Sequence, residues 1–164
     1  MTFLETDIKG CYVFEYLKDE DSRGDFSRVL CKKDMLHMGI EFDVKQSSFA
    51  FNDKKKTARG LHYQKKPYGE NKVIVCLSGV IDVFVKDLDD KKTVISHRLD
   101  SRLSRREAIY IPKHCASGYI TIEDGSSVLY YMDEYYHPES QKVIAIEIEG
   151  AIMSDRDKKS QGKE

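Results

Sequence analysis

The sequence contains no apolar run long enough to cross a membrane, which would take about 18 residues. Residues 1–10 also lack the basic and then apolar layout of a secretory signal peptide. We therefore expect a cytosolic protein without a membrane-spanning segment.

A strong charge of either sign is missing as well. The 27 Lys and Arg residues are balanced by 28 Asp and Glu residues, which leaves a formal net charge of -1. Because no general basic field exists, neither nucleic acid nor an anionic membrane surface is an expected partner. An anionic ligand would have to be held by local groups.

Cysteine is scarce, and its spacing differs from that of common zinc sites. Cys11, Cys31, Cys76 and Cys115 are scattered and form no CxxC pair. Cys76 lies in an apolar run and is interpreted as a small core residue. We expect four reduced thiols, no metal site and no cofactor.

The apolar residues that are present fall into short, often β-branched runs. They occupy residues 73–77, 80–85, 109–111, 119–122, 128–132 and 143–148. In the last run the isoleucines alternate with acidic residues, which predicts a half-exposed strand. Ser78-Gly79 and residues 123–126 supply turn chemistry, so both are predicted to close hairpins.

These patterns predict one all-β domain over residues 1–164, in which residues 154–164 form a charged, solvated tail. The 40% of hydrophobic residues suffice for a single core. No repeat of fixed period is visible, which excludes propellers and solenoids. A closed or two-sheet barrel remains, because that architecture hides strand edges.

The densest group of residues that can carry chemistry is Arg59-Gly60-Leu61-His62-Tyr63-Gln64. If this segment is extended, His62 and Gln64 point to one side, and Leu61 and Tyr63 to the other. An imidazole could then face a cavity beside a cation. The alternative is a hydrogen-bonded structural histidine.

The same segment resembles the signature of the dTDP-4-dehydrorhamnose 3,5-epimerase family. The matching residues continue in the family's order with Lys72, Gly79, Asp82, Val83, Ile111-Pro112, 116–118, Tyr130 and Tyr135-Tyr136 before Pro138, and they are preceded by Ser22-Arg23-Gly24-Asp25-Phe26. The resemblance covers nearly the whole chain, from Ser22 to Asp157. It implies a cupin-type jelly-roll barrel with short peripheral helices, in a homodimer whose N-terminal segment packs against the partner subunit.

The resemblance also implies an epimerase that inverts C3, C5 or both of a nucleoside-diphosphate 4-keto-6-deoxy sugar. His62 would be the general base, and Asp157 would orient it. A carboxylate that holds one ring nitrogen fixes the tautomer and raises the basicity of the other nitrogen. Tyr130 would return a proton on the opposite face of the sugar, and Lys72 would stabilise the enolate oxygen.

Substrate-binding roles follow from the same resemblance. Arg59 and Arg23 match positions that grip the diphosphate, because guanidinium suits bidentate contact with phosphate oxygens. Phe26 would stack near the nucleotide base. The alternatives are rim arginines with solvated partners and an ordinary core phenylalanine.

Several positions depart from the family pattern. Ser117 replaces a second active-site histidine, and His114, three residues earlier, is the candidate to take its place. Gln46 is kept, but two polar ligands that normally follow it are lost. The chain has no tryptophan, and the Trp-rich C-terminal segment of the family is shortened. These departures surround the sugar and phosphate subsites, so the base, the sugar and the inverted carbon stay open.

Three other functions compete with the epimerase. A metal-dependent cupin would need a second histidine where this chain has Gln64, and His37, His97 and His137 lie in unrelated segments. A keto-isomerase on a similar barrel would also use an acid-base pair. A non-catalytic sugar-nucleotide-binding module is the third, since a fold alone does not prove activity.

Overall fold

The computed structural model describes residues 1–90 and 92–159, and most of its ordered residues lie in β-strands. In chain order the strands are β1 (Thr2–Glu5), β2 (Tyr12–Asp21), β3 (Gly24–Ser27), β4 (Gln46–Asn52), β5 (Ala58–Gln64), β6 (Lys72–Ser78), β7 (Val80–Asp87), β8 (Val94–Asp100), β9 (Arg105–Ile111), β10 (Cys115–Thr121), β11 (Ser126–Met132) and β12 (Gln141–Val143). The helices are α1 (Lys32–His37) and α2 (Asp155–Lys159). The all-β prediction with short peripheral helices is confirmed.

The strands form two antiparallel sheets. The larger runs β1-β2-β9-β6-β11-β4, with β3 also paired to β2, and the smaller runs β12-β5-β10-β7-β8. Neighbouring strands in a sheet are mostly distant along the chain, as in a jelly roll. Among the described residues, no helix is both long and apolar enough to cross a membrane.

The main core lies between the two sheets. Ile74 and Cys76 of β6 face Val83 and Val85 of β7 there, each 2% exposed or less. The prediction that Cys76 is a small core residue is therefore confirmed. A second apolar cluster, which includes Met35 of α1, covers the outer face of the larger sheet.

Both predicted hairpins are wrong. The turn at Ser78-Gly79 joins β6 to β7, and the turn at 123–126 joins β10 to β11, and in each case the two strands belong to different sheets. The residues do form turns, with φ of 78° at Gly79. A turn fixes a chain reversal without fixing which strand pairs with which, and here burial of one face of each strand brings the sheets together.

The predicted strand at 143–148 is also wrong beyond its first residue, because β12 ends at Val143. Ile144 still exchanges two backbone hydrogen bonds with Leu61, at 2.8 and 3.1 Å. The side chains still alternate in exposure along this segment, where Glu147 and Glu149 are exposed. Of the predicted tail, residues 155–159 form α2, and residues 160–164 lie outside the described residues.

Candidate active site

A cavity of about 620 Å³ opens between the two sheets at one end of the barrel. Strands β4, β6 and β11 of the larger sheet, β5 of the smaller sheet and the segment before and within α2 form its walls. The predicted site residues that line it are Gln46, Arg59, His62, Lys72, Tyr130 and Asp157. The fold therefore brings together residues that are up to 111 positions apart (46 to 157) in the sequence.

His62 and Asp157 form a contact inside this cavity. Nε2 of His62 lies 2.8 Å from Oδ1 of Asp157, whose side chain is only 5% exposed. Burial alone would raise the pKa of Asp157, but the hydrogen bond and charge of His62 and the backbone N–H of Gly60 outweigh it and lower that pKa. The carboxylate is therefore ionised and directed at one ring nitrogen.

The C-terminal segment is tied to β5, and this brings Asp157 to His62. Ile152 donates its N–H to the carbonyl of Lys56 at 2.8 Å and accepts one from Ala58 at 2.9 Å. The backbone N–H of Asp157 is in turn capped by the hydroxyl of Ser154 at 3.2 Å. The Ser-x-x-Asp spacing thus serves a local turn that aims the carboxylate.

Gly60 lets β5 and β10 approach each other closely beside His62. Its φ is +109°, and an added Cβ would meet the carbonyl oxygen of Ser117 and Cα of Gly118, each at 2.7 Å. A side chain there would push the two strands apart. The glycine in the Arg-Gly-Leu-His segment is therefore required by packing, and it sets the position of the next residues.

Lys72 reaches the cavity from the start of β6. Its ammonium lies 2.8 Å from Oε1 of Glu70 and donates to the carbonyl of His62 at 3.3 Å. The side chains of Lys72 and Glu70 are 10% and 11% exposed, so water screens this pair little. A fixed cation thus lies next to the backbone of His62.

Tyr130 lines the cavity from β11 and packs beside Tyr119, with ring centroids 6.3 Å apart. Burial is the main cause that raises the pKa of Tyr130 well above its ordinary value, and Tyr119 raises it further. The phenol therefore stays protonated at neutral pH. A protonated hydroxyl in the cavity is able to act as an acid.

Arg59 and Gln46 also line the cavity. Nε of Arg59 donates to Oδ1 of Asn52 at 2.9 Å, and the hydroxyl of Tyr119 donates to the same oxygen at 3.2 Å. Gln46 accepts a hydrogen bond from the backbone N–H of Tyr136 at 2.9 Å. Arg59 is an exposed residue, so it is accessible to a ligand.

Four predicted binding residues do not line this cavity. Ser117 is buried opposite His62 in the register of β10 and β5, and His114 lies in the turn before β10, where its carbonyl accepts from Leu88 at 3.0 Å. Arg23 and Phe26 lie on the β2–β3 hairpin. Strands β9 and β6 lie between that hairpin and β11 in the larger sheet, and neither residue is among those that line the cavity.

Other cavity residues escaped the sequence analysis. Glu70 lies two positions before Lys72, and the period-two rule for strands could have placed both on one face. Arg156 directly precedes Asp157 and donates to the side chain of Gln141 at 2.6 Å. Within residues 1–90 and 92–159, no group of three His, Cys, Asp or Glu side chains is arranged to hold a metal ion.

Comparisons with known proteins show which family the chain is similar to. A family profile described as dTDP-4-dehydrorhamnose 3,5-epimerase matches residues 5–162. The enzyme of that name from Escherichia coli (strain K12) is 26% identical over 172 residues, which cover 97% of this chain and 92% of the relative.

Solved structures with the same description share the fold. The Bacillus anthracis str. Ames structure, with TDP and PPi bound, is 25% identical with a TM-score of 0.87, and 95% of each chain is covered. The Sulfolobus tokodaii structure is 28% identical with a TM-score of 0.85, covering 96% of this chain and 93% of that one.

Proposed function

The chain belongs to the dTDP-4-dehydrorhamnose 3,5-epimerase family, and from that premise we propose that His62, Lys72, Tyr130 and Asp157 carry out its epimerisation chemistry. It is an isomerase-class enzyme of nucleotide-sugar metabolism. The substrate we propose is a dTDP-linked 4-keto-6-deoxy sugar, inverted at C3 and C5. The observation that carries the proposal is the His62–Asp157 contact of 2.8 Å in a cavity that also holds a lysine and a protonated tyrosine.

The reaction begins with removal of a proton from a carbon beside the C4 keto group. Asp157 holds Nε2 of His62, which leaves Nδ1 as the base that accepts this proton. The electron pair of the broken C–H bond forms a C=C bond to C4, and the π pair of the carbonyl moves to its oxygen, which becomes an enolate. No outside electron acceptor is needed, because the pair returns to the same carbon in the next step. Before the second carbon reacts, His62 releases its proton to solvent and Tyr130 takes one up.

Lys72 and Tyr130 serve the two later stages. The Lys72 ammonium stabilises the enolate oxygen, and a fixed cation in a site shielded from water is more effective than one in solution. Tyr130 then gives its proton to the carbon from the face opposite His62. Delivery from that face inverts the configuration.

Arg59 supplies the local positive charge for the diphosphate. Its Nε is already occupied by Asn52, so the two terminal nitrogens are the donors that we assign to phosphate oxygens. The Bacillus anthracis relative was solved with TDP bound, which makes dTDP the nucleotide to test first.

Association into a two-fold dimer is the second part of the proposal. Arg23 is exposed on the β2–β3 hairpin, where its guanidinium pairs with the neighbouring Asp21, and Phe26 is 71% exposed. Because neither residue lines the cavity of its own chain, we propose that they serve the binding site of another copy. Sedimentation at micromolar concentration tests the dimer, and a monomer under those conditions would contradict it.

Incubation with nucleotide-linked 4-keto sugars in deuterated water tests the chemistry. Each carbon that His62 deprotonates acquires deuterium, so NMR of the product shows whether C3, C5 or both have reacted. The proposal expects label at both carbons of the dTDP sugar and formation of the epimer. Binding without any label would instead support a non-catalytic sugar-nucleotide-binding protein, and label that accompanies carbonyl migration would support a keto-isomerase.

A further inference from the structure

Glu70 is a carboxylate inside the cavity for which the proposed chemistry has no use. It lines the cavity, and its side chain is 11% exposed. A charge so far from water needs partners, and both of its oxygens have one. Oε1 lies 2.8 Å from the Lys72 ammonium, and Oε2 accepts a hydrogen bond from Gln64 at 3.1 Å.

Gln64 cannot turn its amide around to suit another neighbour. Its oxygen accepts the backbone N–H of His137 at 2.6 Å, and its nitrogen shares two N–H donors among Glu70 and the carbonyls of Tyr68 and Tyr135, which lie at 3.1 and 2.9 Å. These contacts fix the nitrogen on the side of Glu70. The carboxylate is therefore held in place by a rigid donor on one side and by the lysine on the other.

The contacts of Lys72 leave room for one further acceptor. An ammonium has three N–H donors. One lies toward Glu70, and a second donates to the carbonyl of His62 at 3.3 Å. Within residues 1–90 and 92–159 no other group takes up the third N–H, which we assign to an oxygen in the cavity.

We propose that Glu70 is a positioning residue that holds the Lys72 ammonium where its third N–H meets the enolate oxygen. The inference rests on the proposed function, since it assigns Glu70 to the reaction through Lys72. The long lysine side chain has many rotamers, and the buried carboxylate selects the one beside His62. Glu70 itself contacts neither the base nor the reacting carbon in this account.

A glutamine at position 70 would break this arrangement with little change in size. Only a carboxylate accepts from both sides, whereas an amide would place its NH₂ group against either Gln64 or Lys72. We expect Glu70→Gln to lower kcat by about 10- to 100-fold, the scale for a group displaced by about 1 Å. KM should change less than about twofold, because the substitution removes no contact that binds the substrate in its ground state.

A double-mutant cycle shows whether Glu70 acts through Lys72. Lys72→Met should lower kcat by about 10²- to 10³-fold. If Glu70 only positions the lysine, adding Glu70→Gln to Lys72→Met causes no further loss of kcat. If the two losses multiply instead, Glu70 acts independently and the inference is overturned.

The controls separate this inference from loss of folding and from failure of the function itself. Glu107→Gln removes a comparable carboxylate outside the cavity and should leave kcat unchanged. If Glu70→Gln does not fold, Glu70→Asp keeps the charge but draws it back from Lys72, and its kcat must still fall for the inference to stand. A wild-type protein that neither exchanges nor epimerises any sugar refutes the proposed function, and with it this inference. An active wild type with an unimpaired Glu70→Gln refutes only the role of Glu70.

Discussion

Among the described residues, two histidine–carboxylate contacts are short and of nearly the same length. His62 lies 2.8 Å from Asp157, and His97 lies 2.7 Å from Glu107. His97 joins β8 of the smaller sheet to β9 of the larger one, and its carboxylate partner is 24% exposed, against 5% for Asp157. A histidine–carboxylate contact alone therefore does not distinguish a site of chemistry from a link between sheets.

The surroundings make the difference. His62 faces a cavity of about 620 Å³ that also holds Lys72 and Tyr130. His97 lines a groove of about 310 Å³ together with Glu5 and Asp7. An anionic enolate would be stabilised in the first setting and repelled in the second. In the proposed function, the chemistry therefore depends on the whole arrangement of base, cation and acid, and not on the histidine–carboxylate contact alone.

Replacing each histidine in turn should separate the two contacts most strongly. His62→Asn should lower kcat for epimer formation by about 10²- to 10⁴-fold, because the reaction loses its base. Titration calorimetry with dTDP should show that the variant still binds nucleotide. His97→Asn should retain the wild-type kcat, and a comparable loss in both variants would contradict the distinction.

Replacing the carboxylates should give the same contrast with a smaller effect. Asp157→Asn keeps the shape but no longer favours one tautomer of His62, so kcat should fall on the order of 10²-fold or more. Steady-state kinetics on Asp157→Asn and on Glu107→Gln measure the effect. Equal activities in the two variants would show that Asp157 does not orient the base.

Two adjacent tyrosines on β11 extend the comparison to the acid. Tyr130 lines the cavity, whereas Tyr131 packs against the outer apolar cluster on the other face of the sheet. Tyr130→Phe should keep deuterium exchange but slow epimer formation, which lowers the ratio of epimer to label at least about tenfold. Tyr131→Phe should leave that ratio unchanged. An unchanged ratio in Tyr130→Phe would remove Tyr130 from the reaction.

The smallest expected effect concerns stability against acid. The folded state lowers the pKa of Asp157 from its ordinary 3.8, so the ionised carboxylate stabilises the fold above that pH. This contribution disappears as the pH falls through the lower folded-state pKa. Burial, the largest single cause, opposes the lowering by His62, so we expect a contribution of less than about 1 kcal/mol. The Tm difference between wild type and Asp157→Asn should therefore shrink as the pH falls below 3.8, and a constant difference would contradict this.

Local sequence patterns predicted the strands and part of the site. They could not predict contacts between residues that are distant along the chain. Arg59 and His62 share one strand, but a period of two would place them on opposite faces, and the shift in the β5–β10 register between them is what lets both line one cavity. The strands on either side of the turns at Gly79 and Gly125 pair according to the sheet that each strand joins. Turn residues do not encode this choice of sheet. Asp157 was identified only through the family resemblance, because its contact with His62 closes a loop of 95 positions.

Glu70 illustrates the same limit at short range. Its two-residue spacing from Lys72 could have indicated a shared face, but its role depends on the amide of Gln64, which is fixed by His137 from a distant loop. In the fold, this short charged segment is buried, and its side chains form a hydrogen-bonded network inside the cavity. Only the folded structure shows that both charges are shielded from water.

The most direct test of whether His62 is the base is the rate at which deuterium from solvent enters C3 and C5 of a dTDP-linked 4-keto-6-deoxy sugar. NMR measures this rate for wild type, His62→Asn and His97→Asn under one set of conditions. With wild type and with His97→Asn, deuterium should enter both carbons rapidly. With His62→Asn, deuterium should enter about 10²- to 10⁴-fold more slowly. Incorporation at the wild-type rate in His62→Asn would show that another group removes the proton, and His62 would not be the base.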